Sequence, residues 1–186
     1  MLSLTKCLQL LTLRLLLIMS IFSSLFGGLR SEPIAVGADA PDLEVTIDSG
    51  ETLNLADIYT RGPTLVYFYP KADTPGCTAQ ACNLRDHFEE LISAGINVVG
   101  ISTDTVEKLQ KFKAKYNLPF TLVADKAGDV GKAFSTDKFA GLLYARQSFL
   151  VMDHKIAWRD LKATPAEQAQ AVLAAVQEND TAKDCE

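Results

Sequence analysis

The sequence predicts a single α/β domain of three layers, with a mixed central sheet between helices. Two short apolar runs, residues 64–69 (TLVYFY) and 96–101 (INVVGI), are typical of strands buried on both faces, and each is followed by helical periodicity. Two later strand-like runs, residues 148–152 and 156–161, are separated by a short turn and so favour an antiparallel pair. A chain of 186 residues, 48% hydrophobic and 22% charged, has the size and composition of one globular domain.

The first part of the domain is predicted to be extended. Residues 31–42 contain two prolines and little periodicity, which indicates a linker or an extended arm. Residues 45–55 are predicted to form a hairpin whose turn is Asp48-Ser49-Gly50. The buried strand 64–69 follows, and Pro70 ends it because proline cannot donate to a strand ladder.

The middle of the domain alternates helices and strands. Residues 75–94 are predicted as one amphipathic helix that Gly95 closes. Its apolar positions recur at helical spacing: Ala81, Leu84, Phe88, Leu91 and Ile92. The next predicted elements are strand 96–101, helix 105–116, strand 120–124 and a short helix at 129–134.

The end of the domain combines the antiparallel pair with a last helix. The turn of that pair is Asp153-His154-Lys155, and Pro165 then opens a helix that is predicted to run to residue 177. The globular domain is accordingly predicted over residues 37–178, with a polar C-terminal tail at 179–186. Cys185 in that tail is expected to be incidental, with an intermolecular disulfide as the alternative.

Residues 1–30 differ from the rest of the chain in charge and hydropathy. They contain Lys6, Arg14 and Arg30 but no acid, and residues 15–26 form a 12-residue run that is uncharged and largely apolar. A basic start before a run of this length is typical of a secretory signal peptide, and the run is short for a membrane-spanning helix. We therefore expect export to a periplasm, thylakoid lumen or extracellular space; an uncleaved membrane anchor and an organelle-targeting segment are the alternatives.

The charge balance limits the class of partner. Residues 31–186 carry 15 basic and 23 acidic side chains, so the domain is acidic. A nucleic-acid-binding protein needs a basic face, so this class is not expected. A membrane contact is expected only through the N-terminal segment, if that segment is not cleaved.

A candidate reactive sulfur lies between the strand 64–69 and the following helix. Thr74 is predicted as the N-cap and Pro75 as the first helical residue, which places Cys77 in the first helical turn. Unpaired N–H groups and the helix dipole favour a thiolate at such a position. The thiolate is the nucleophilic form of cysteine, so the sequence predicts a reactive Cys77.

Cys82 follows Cys77 by five residues. On an intact helix this spacing separates the two Cα atoms by about 7.5 Å along the axis, whereas a disulfide needs them within about 7 Å. The two sulfurs can therefore bond only if the first turns of the helix unwind, which indicates a redox cycle. The alternative is that both cysteines are small buried apolar residues.

The string YFYPKADTPGCTAQACNLRDHF resembles the active-site region of peroxiredoxins, specifically the bacterioferritin-comigratory or peroxiredoxin Q group. Pro70, Thr74 and Cys77 match the family's Pro-x-x-x-Thr-x-x-Cys pattern, and Cys82 matches the second cysteine of this group. Three later segments resemble the family in order and spacing: NVVGIST, KYNLPFTLVAD and ARQSFLVMD. Residues 132–145 depart from the family pattern.

This resemblance implies a thioredoxin-like fold and a thiol-dependent peroxidase that reduces hydrogen peroxide and organic hydroperoxides. Cys77 would be the peroxidatic cysteine and Cys82 the resolving cysteine, which forms an intramolecular disulfide. Thr74 would hydrogen-bond the peroxide, Pro70 would shield the sulfur from water, and Arg146 would stabilise the thiolate and the leaving oxygen.

The resemblance also implies which partners the enzyme would use. Thioredoxin or another dithiol would reduce the disulfide. The group is usually monomeric, and it uses no metal, haem or flavin.

Two rival functions follow from the same residues. One is a thioredoxin-fold thiol–disulfide oxidoreductase acting on protein disulfides, which the spacing of the cysteines disfavours. The other is a non-catalytic exported domain in which Cys77 and Cys82 form a permanent cross-link. His87 and His154 are expected to be neither ligands nor bases, because they lie far apart and give no metal-binding spacing.

Overall fold

A five-stranded mixed sheet forms the centre of the domain. The computed structural model of the chain describes residues 32–139 and 141–183, so the predictions for residues 1–30 and for Cys185 lie outside the described residues. The strands are β1 (Glu44–Thr46), β2 (Thr52–Asn54), β3 (Thr64–Phe68), β4 (Asn97–Ser102), β5 (Thr121–Ala124), β6 (Lys138–Phe139), β7 (Leu143–Tyr144), β8 (Gln147–Met152) and β9 (Lys155–Asp160). The helices are α1 (Leu55–Tyr59), α2 (Pro75–Asp86), α3 (Phe88–Ser93), α4 (Val106–Tyr116), α5 (Asp129–Ala133) and α6 (Gln168–Lys183), with a 3₁₀ helix at Pro165–Glu167.

The strand order of the central sheet is β5-β4-β3-β8-β9. β3 and β4 run parallel, as do β4 and β5, whereas β8 is antiparallel to both β3 and β9. The late antiparallel pair therefore completes a sheet that begins with parallel crossovers. This is the predicted three-layer α/β architecture, and the fold class is confirmed.

The two sides of the sheet are packed by different helices. We call the side that receives Leu65 and Tyr67 of β3 the cysteine face, because Cys77 is part of its buried cluster together with residues of α2, α3, α4 and α6. The opposite side receives Val66 and Phe68 and packs against α1, α5 and the β1–β2 hairpin; we call it the aromatic face. The alternation along β3 thus assigns each residue to one face or the other.

The predicted helix over residues 75–94 is wrong as a single element. α2 ends at Asp86, His87 has a non-helical backbone with ψ at 17°, and α3 begins at Phe88. The imidazole Nδ1 of His87 lies 2.9 Å from the carbonyl oxygen of Asn83, and its Nε2 lies 2.8 Å from Nε2 of Gln170. These contacts hold the His87 side chain between its own helix and α6, at the point where the helix breaks.

The last helix is longer than predicted. It starts as the 3₁₀ helix at Pro165 and continues as α6 to Lys183, so residues 179–183, which we expected in the polar tail, are helical. The sequence from 168 to 183 has no glycine or proline and is rich in alanine, which favours continued helix. Its apolar side chains, including Val172 and Val176, are buried on the cysteine face.

Two elements were absent from the sequence interpretation, α1 and the β6–β7 hairpin. α1 follows β2 directly, with Asn54 as its N-cap accepting a hydrogen bond of 2.8 Å from the N–H of Ala56. β6 and β7 form a small hairpin just before Arg146. The predicted extended arm is present and lies along β9: the N–H of Gly37 donates to the carbonyl oxygen of Ile156 at 2.8 Å, and the N–H of Ile156 donates to the carbonyl oxygen of Ala38 at 2.9 Å.

The remaining predicted elements are present within a residue or two of their expected ends. These include the β1–β2 hairpin, strands β3, β4, β5, β8 and β9, and helices α4 and α5. Over the part of the chain that the structure describes, no helix is both long enough and apolar enough to span a bilayer.

Candidate active site

Cys77 lies in the first turn of α2, just beyond the carboxyl end of β3. β3 ends at Phe68, the loop runs through Pro70 to Thr74, and α2 begins at Pro75. Thr74 is the N-cap, and its carbonyl oxygen accepts the N–H of Thr78 at 2.8 Å. The side chain of Cys77 is 2% exposed, so the sulfur sits at the edge of the core and is almost screened from water.

Two positive influences converge on the sulfur. The N–H groups of Gly76 and Cys77 belong to the first helical turn, where N–H groups have no intrahelical acceptor and the helix dipole is positive. Arg146, from the segment between β7 and β8, donates through Nη2 to the Cys77 sulfur at 3.6 Å. The structure therefore brings together two sequence-predicted residues that are 69 positions apart, and it places the charged guanidinium beside the Cys77 sulfur.

Gly76 allows the guanidinium to approach the start of the helix. A Cβ atom at this position would lie 3.0 Å from Nη2 of Arg146, which is tighter than ordinary side-chain contacts. With any larger residue at position 76, the Arg146 guanidinium would have to move from its place beside the sulfur. The glycine in the sequence Thr-Pro-Gly-Cys thus has a steric role beside the reactive sulfur.

The phenols of Tyr67 and Tyr69 border Cys77 in the same buried cluster. Burial is the largest cause that raises the pKa of each phenol well above its usual value, so both are neutral at physiological pH. They place no negative charge beside the sulfur, and a thiolate there is not opposed by them. Gly100, opposite Tyr67 on β4, makes room for this ring, because a Cβ on Gly100 would lie 2.6 Å from the phenol oxygen.

Thr74 and Pro70 lie on the loop that leads into α2. The hydroxyl of Thr74 does not cap the helix; it donates to the carbonyl oxygen of Lys71 at 2.9 Å. The lone pairs of that hydroxyl stay available to accept a hydrogen bond. Pro70 is half-buried directly after β3, at the same edge of the sheet as Cys77.

Hydrogen bonds of two aspartates hold this loop in place. Asp73, in the left-handed region with φ of 60°, accepts from Lys115 Nζ at 2.8 Å and from the hydroxyl of Tyr116 at 2.7 Å. The hydrogen bond from Lys115 is the largest cause that lowers the pKa of Asp73, followed by the bond from Tyr116. Buried Asp104 accepts from the N–H of Ala72 at 2.7 Å.

Cys82 is half-buried near the end of α2, and neither Cys77 nor Cys82 is in a disulfide. α2 is continuous from Pro75 to Asp86, so the helical turns between the two cysteines are intact. Because Cys82 is five positions after Cys77 on a regular helix, the two sulfurs cannot bond in this conformation. Both cysteines are therefore in their reduced form, and formation of a disulfide between them requires local unwinding of α2.

Two glutamines near the site were missed by the sequence interpretation. Gln80 is fully buried, its Oε1 accepts from Nη1 of Arg146, and its Nε2 donates to Oε1 of Gln168 at 2.8 Å. Gln168 begins α6 and also accepts from the hydroxyl of Ser148 at 2.8 Å. Neither glutamine gave a signal in the sequence, because Gln80 in the middle of α2 and Gln168 at the start of α6 meet only through the tertiary fold.

Within residues 32–139 and 141–183, no three or more His, Cys, Asp or Glu side chains cluster as metal ligands would. His87 and His154 are held by other contacts: His87 lies against α6, and His154 packs edge-on against the ring of Tyr59. The groups that the structure brings together at the site are the Cys77 sulfur, the Arg146 guanidinium and the start of α2.

Comparison with known proteins gives concordant results. Residues 36–159 match the model of the AhpC/TSA family. The chain is 46% identical over 125 residues to peroxiredoxin Bcp of Escherichia coli K12, covering 64% of this chain and 80% of that protein. It is 50% identical over 97 residues to a putative peroxiredoxin bcp of Coxiella burnetii, covering 52% of this chain and 64% of the relative.

Solved structures agree with the sequence relatives. The crystal structure of peroxidoxin BcpB from Mycobacterium tuberculosis superposes with a TM-score of 0.73 at 30% sequence identity. The superposition covers 78% of this chain and 97% of that one. The aligned portion of this chain thus covers nearly all of that structure.

Proposed function

This chain belongs to the AhpC/TSA family and is a peroxiredoxin of the Bcp/peroxiredoxin Q group; from that premise we propose that it is a thiol-dependent peroxidase whose reacting sulfur is Cys77. The substrates are hydrogen peroxide and organic hydroperoxides. The contact of 3.6 Å between Arg146 Nη2 and the Cys77 sulfur, at a helix start, is the observation that carries the assignment of the site.

In the first step the Cys77 thiolate attacks one oxygen of the peroxide. An S–O bond forms, the O–O bond breaks, and the sulfur is oxidised to a sulfenic acid while the peroxide is reduced to an alkoxide or hydroxide. That leaving oxygen takes up a proton and departs as alcohol or water. The guanidinium of Arg146 stabilises the charge that develops during the transfer, and the hydroxyl of Thr74 accepts a hydrogen bond from the peroxide.

In the second step the Cys82 thiol attacks the sulfenic acid. A disulfide forms between Cys77 and Cys82, and the hydroxyl of the sulfenic acid leaves as water. A dithiol reductant such as thioredoxin then exchanges with this disulfide: both cysteines return to thiols, and the reductant becomes a disulfide. Because α2 is intact in the reduced form, its first turns unwind before the second step and re-form after reduction.

The burial of Cys77 argues against the rival oxidoreductase function. Attack on a protein disulfide needs the thiolate to reach a bulky partner along the S–S axis, whereas the Cys77 side chain is 2% exposed. A small hydroperoxide needs far less access. The continuous α2 helix also disfavours a permanent cross-link, because it packs Cys77 and Cys82 with no disulfide between them.

Two cysteine variants test the proposal. Cys77→Ser is expected to abolish peroxide consumption, because the serine hydroxyl is not ionised at neutral pH. Cys82→Ser is expected to allow one turnover to the sulfenic acid and then to stop, because no internal disulfide can form. Peroxide consumption with a dithiol donor measures both, and full activity of Cys77→Ser would refute the assignment.

We further propose that residues 1–30 direct export, that the domain is monomeric, and that its reductant is a thioredoxin-like dithiol of the compartment it reaches. The proposal is supported by the basic start and the apolar run of the N-terminal segment. N-terminal sequencing of the mature protein from fractionated cells tests it. A mature protein that keeps residues 1–30 in a soluble cell fraction would contradict export.

A further inference from the structure

The strongest unexplained feature of the domain is a hydrogen-bonded pair of buried amides, Gln80 and Gln168, next to Arg146. Gln80 and Gln168 are 0% and 1% exposed, and they join α2 to the start of α6. Both are amides in a core that elsewhere on this face is mostly apolar. Among the residues that the structure describes, Nε2 of Gln168 has no hydrogen-bond partner, so leucine or methionine would fill the same space without an unpaired polar group.

The hydrogen bonds of this amide pair have a fixed direction. A guanidinium can only donate, so Gln80 must present its Oε1 to Arg146. Its Nε2 must then find an acceptor, and the acceptor is Oε1 of Gln168 at 2.8 Å. Gln168 in turn is held in that orientation by the hydroxyl of Ser148, which donates to the same oxygen at 2.8 Å.

The position of Gln80 connects this amide pair to both steps of the reaction. It lies one helical turn after Cys77 and before Cys82, in the segment that must unwind for the disulfide to form. While α2 is helical, Gln80 fixes Nη1 of Arg146, and Nη2 of the same guanidinium reaches the Cys77 sulfur. When those turns unwind, Gln80 leaves both Arg146 and Gln168.

We propose that Gln168 is a positioning residue: through Gln80 it holds Arg146 against the Cys77 sulfur and holds the first turns of α2 in their helical form. The inference rests on the proposed peroxidase function. Gln168 itself touches neither sulfur nor substrate. It acts in opposite senses on the two steps, because the conformation that it stabilises reacts with peroxide and cannot form the disulfide.

A second contact between the same two helices provides a matched control. Asn83 on α2 donates to the carbonyl oxygen of Ala166 at 2.9 Å and accepts from the N–H of Ala169 at 2.8 Å. It therefore ties α2 to the start of α6, as Gln80 does, but among the described residues no hydrogen bond joins it to Arg146. Loss of the Asn83 contacts should ease unwinding and leave the reaction with peroxide unchanged.

The experiment compares the full-length wild type with Gln168→Met, Gln168→Glu and Asn83→Ala. One equivalent of hydrogen peroxide is added, the reaction is quenched at intervals, and mass spectrometry follows the Cys77 sulfenic acid and the Cys77–Cys82 disulfide separately. Methionine keeps the length of glutamine without its amide, and glutamate keeps the acceptor oxygen that Gln80 and Ser148 need. Thermal unfolding of each variant shows that it is folded at the assay temperature.

For Gln168→Met we expect sulfenic acid formation to slow about threefold to tenfold, as for one lost hydrogen bond, and disulfide formation to accelerate by a similar factor. Gln168→Glu should restore the first step to within about twofold of wild type, because both of its acceptor bonds remain. Asn83→Ala should accelerate only the second step. This opposite movement of the two rates is not expected of a residue that merely stabilises the fold.

Three results would overturn the inference alone: both rates of Gln168→Met equal to wild type, both rates lowered together, or Gln168→Glu as slow as Gln168→Met in the first step. A wild type that forms no sulfenic acid at Cys77 would instead overturn the proposed function, and this inference with it.

Discussion

Both faces of the central sheet are lined by buried apolar side chains, but they differ in what else they bury. On the aromatic face, the rings of Phe68, Phe134 and Phe149 lie with centroids between 5.2 and 5.9 Å apart, mostly in edge-on arrangements. The cysteine face also packs apolar side chains, but it buries in addition the Cys77 sulfur and the amides of Gln80 and Gln168.

The contrast indicates a division of labour between the faces. Edge-to-face rings stabilise a fold without introducing polar groups that need partners. Buried amides and a sulfur beside a guanidinium stabilise it less, and Nε2 of Gln168 has no hydrogen-bond partner within residues 32–139 and 141–183. We therefore expect substitutions on the aromatic face to change stability and those on the cysteine face to change reaction rates.

The largest expected effect lies on the aromatic face. Phe68→Ala should lower the free energy of unfolding by about 3–5 kcal/mol, because the ring is fully buried against three other rings. The peroxidase rate per folded molecule should not change. Guanidinium denaturation and peroxide consumption measure the two quantities, and a stable but inactive Phe68→Ala would break the comparison.

The largest effect on rate is expected at Arg146. Arg146→Met should lower kcat/KM for peroxide about 100-fold or more, because it removes the charged donor that contacts the sulfur. Arg159→Met is the matched control: this half-buried arginine binds the carbonyl oxygens of Pro33 and Ile34 in the N-terminal arm. Equal losses in the two variants would show that the arginines act through general stability.

A smaller effect is expected when the arginine is kept but displaced. Gly76→Ala should slow the reaction with peroxide about tenfold, because the new methyl group would lie 3.0 Å from Nη2 of Arg146. In an Arg146→Met background the same substitution should have little effect, since there is no guanidinium to displace. Full additivity of the two substitutions would argue against this mechanism.

The smallest effect is expected from the loop clamp at Asp73. The hydrogen bonds from Lys115 and Tyr116 lower the pKa of this carboxyl in the folded state. Its contribution to stability is therefore complete above the unfolded pKa of about 3.9, and it is lost as the pH falls below that value through the lower folded one. Unfolding midpoints between neutral pH and this acid range should fall less steeply for Asp73→Asn; parallel profiles would contradict the clamp.

The sequence predicts those parts of the molecule whose signals are local. Apolar runs gave β3 and β4, and helical spacing gave α4. The N-terminal position of Cys77 on α2 followed from Thr74 and Pro75. The proximity of Arg146 to Cys77 was implied only by the family resemblance, because no local pattern relates two residues 69 positions apart.

The features that the sequence did not predict depend on tertiary contacts. The break at His87 follows from the contact of its side chain with α6, and apolar periodicity continues across it. The β6–β7 hairpin carries its apolar Phe139 and Leu142 on the surface, at 77% and 72% exposure, so its pattern is not that of a half-buried strand pair. The link between Gln80 and Gln168 spans 88 positions, and two isolated glutamines carry no pattern of their own.

The central claim is that α2 must unwind between Cys77 and Cys82 during each cycle, while the central sheet stays folded. Hydrogen exchange of the full-length protein, before and after one equivalent of peroxide, tests it most directly. We predict that amides 77–82 lose protection in the oxidised wild type but not in Cys82→Ser, and that β3 and β8 keep theirs in both. A Cys77–Cys82 disulfide formed with full protection of residues 77–82 would contradict the account.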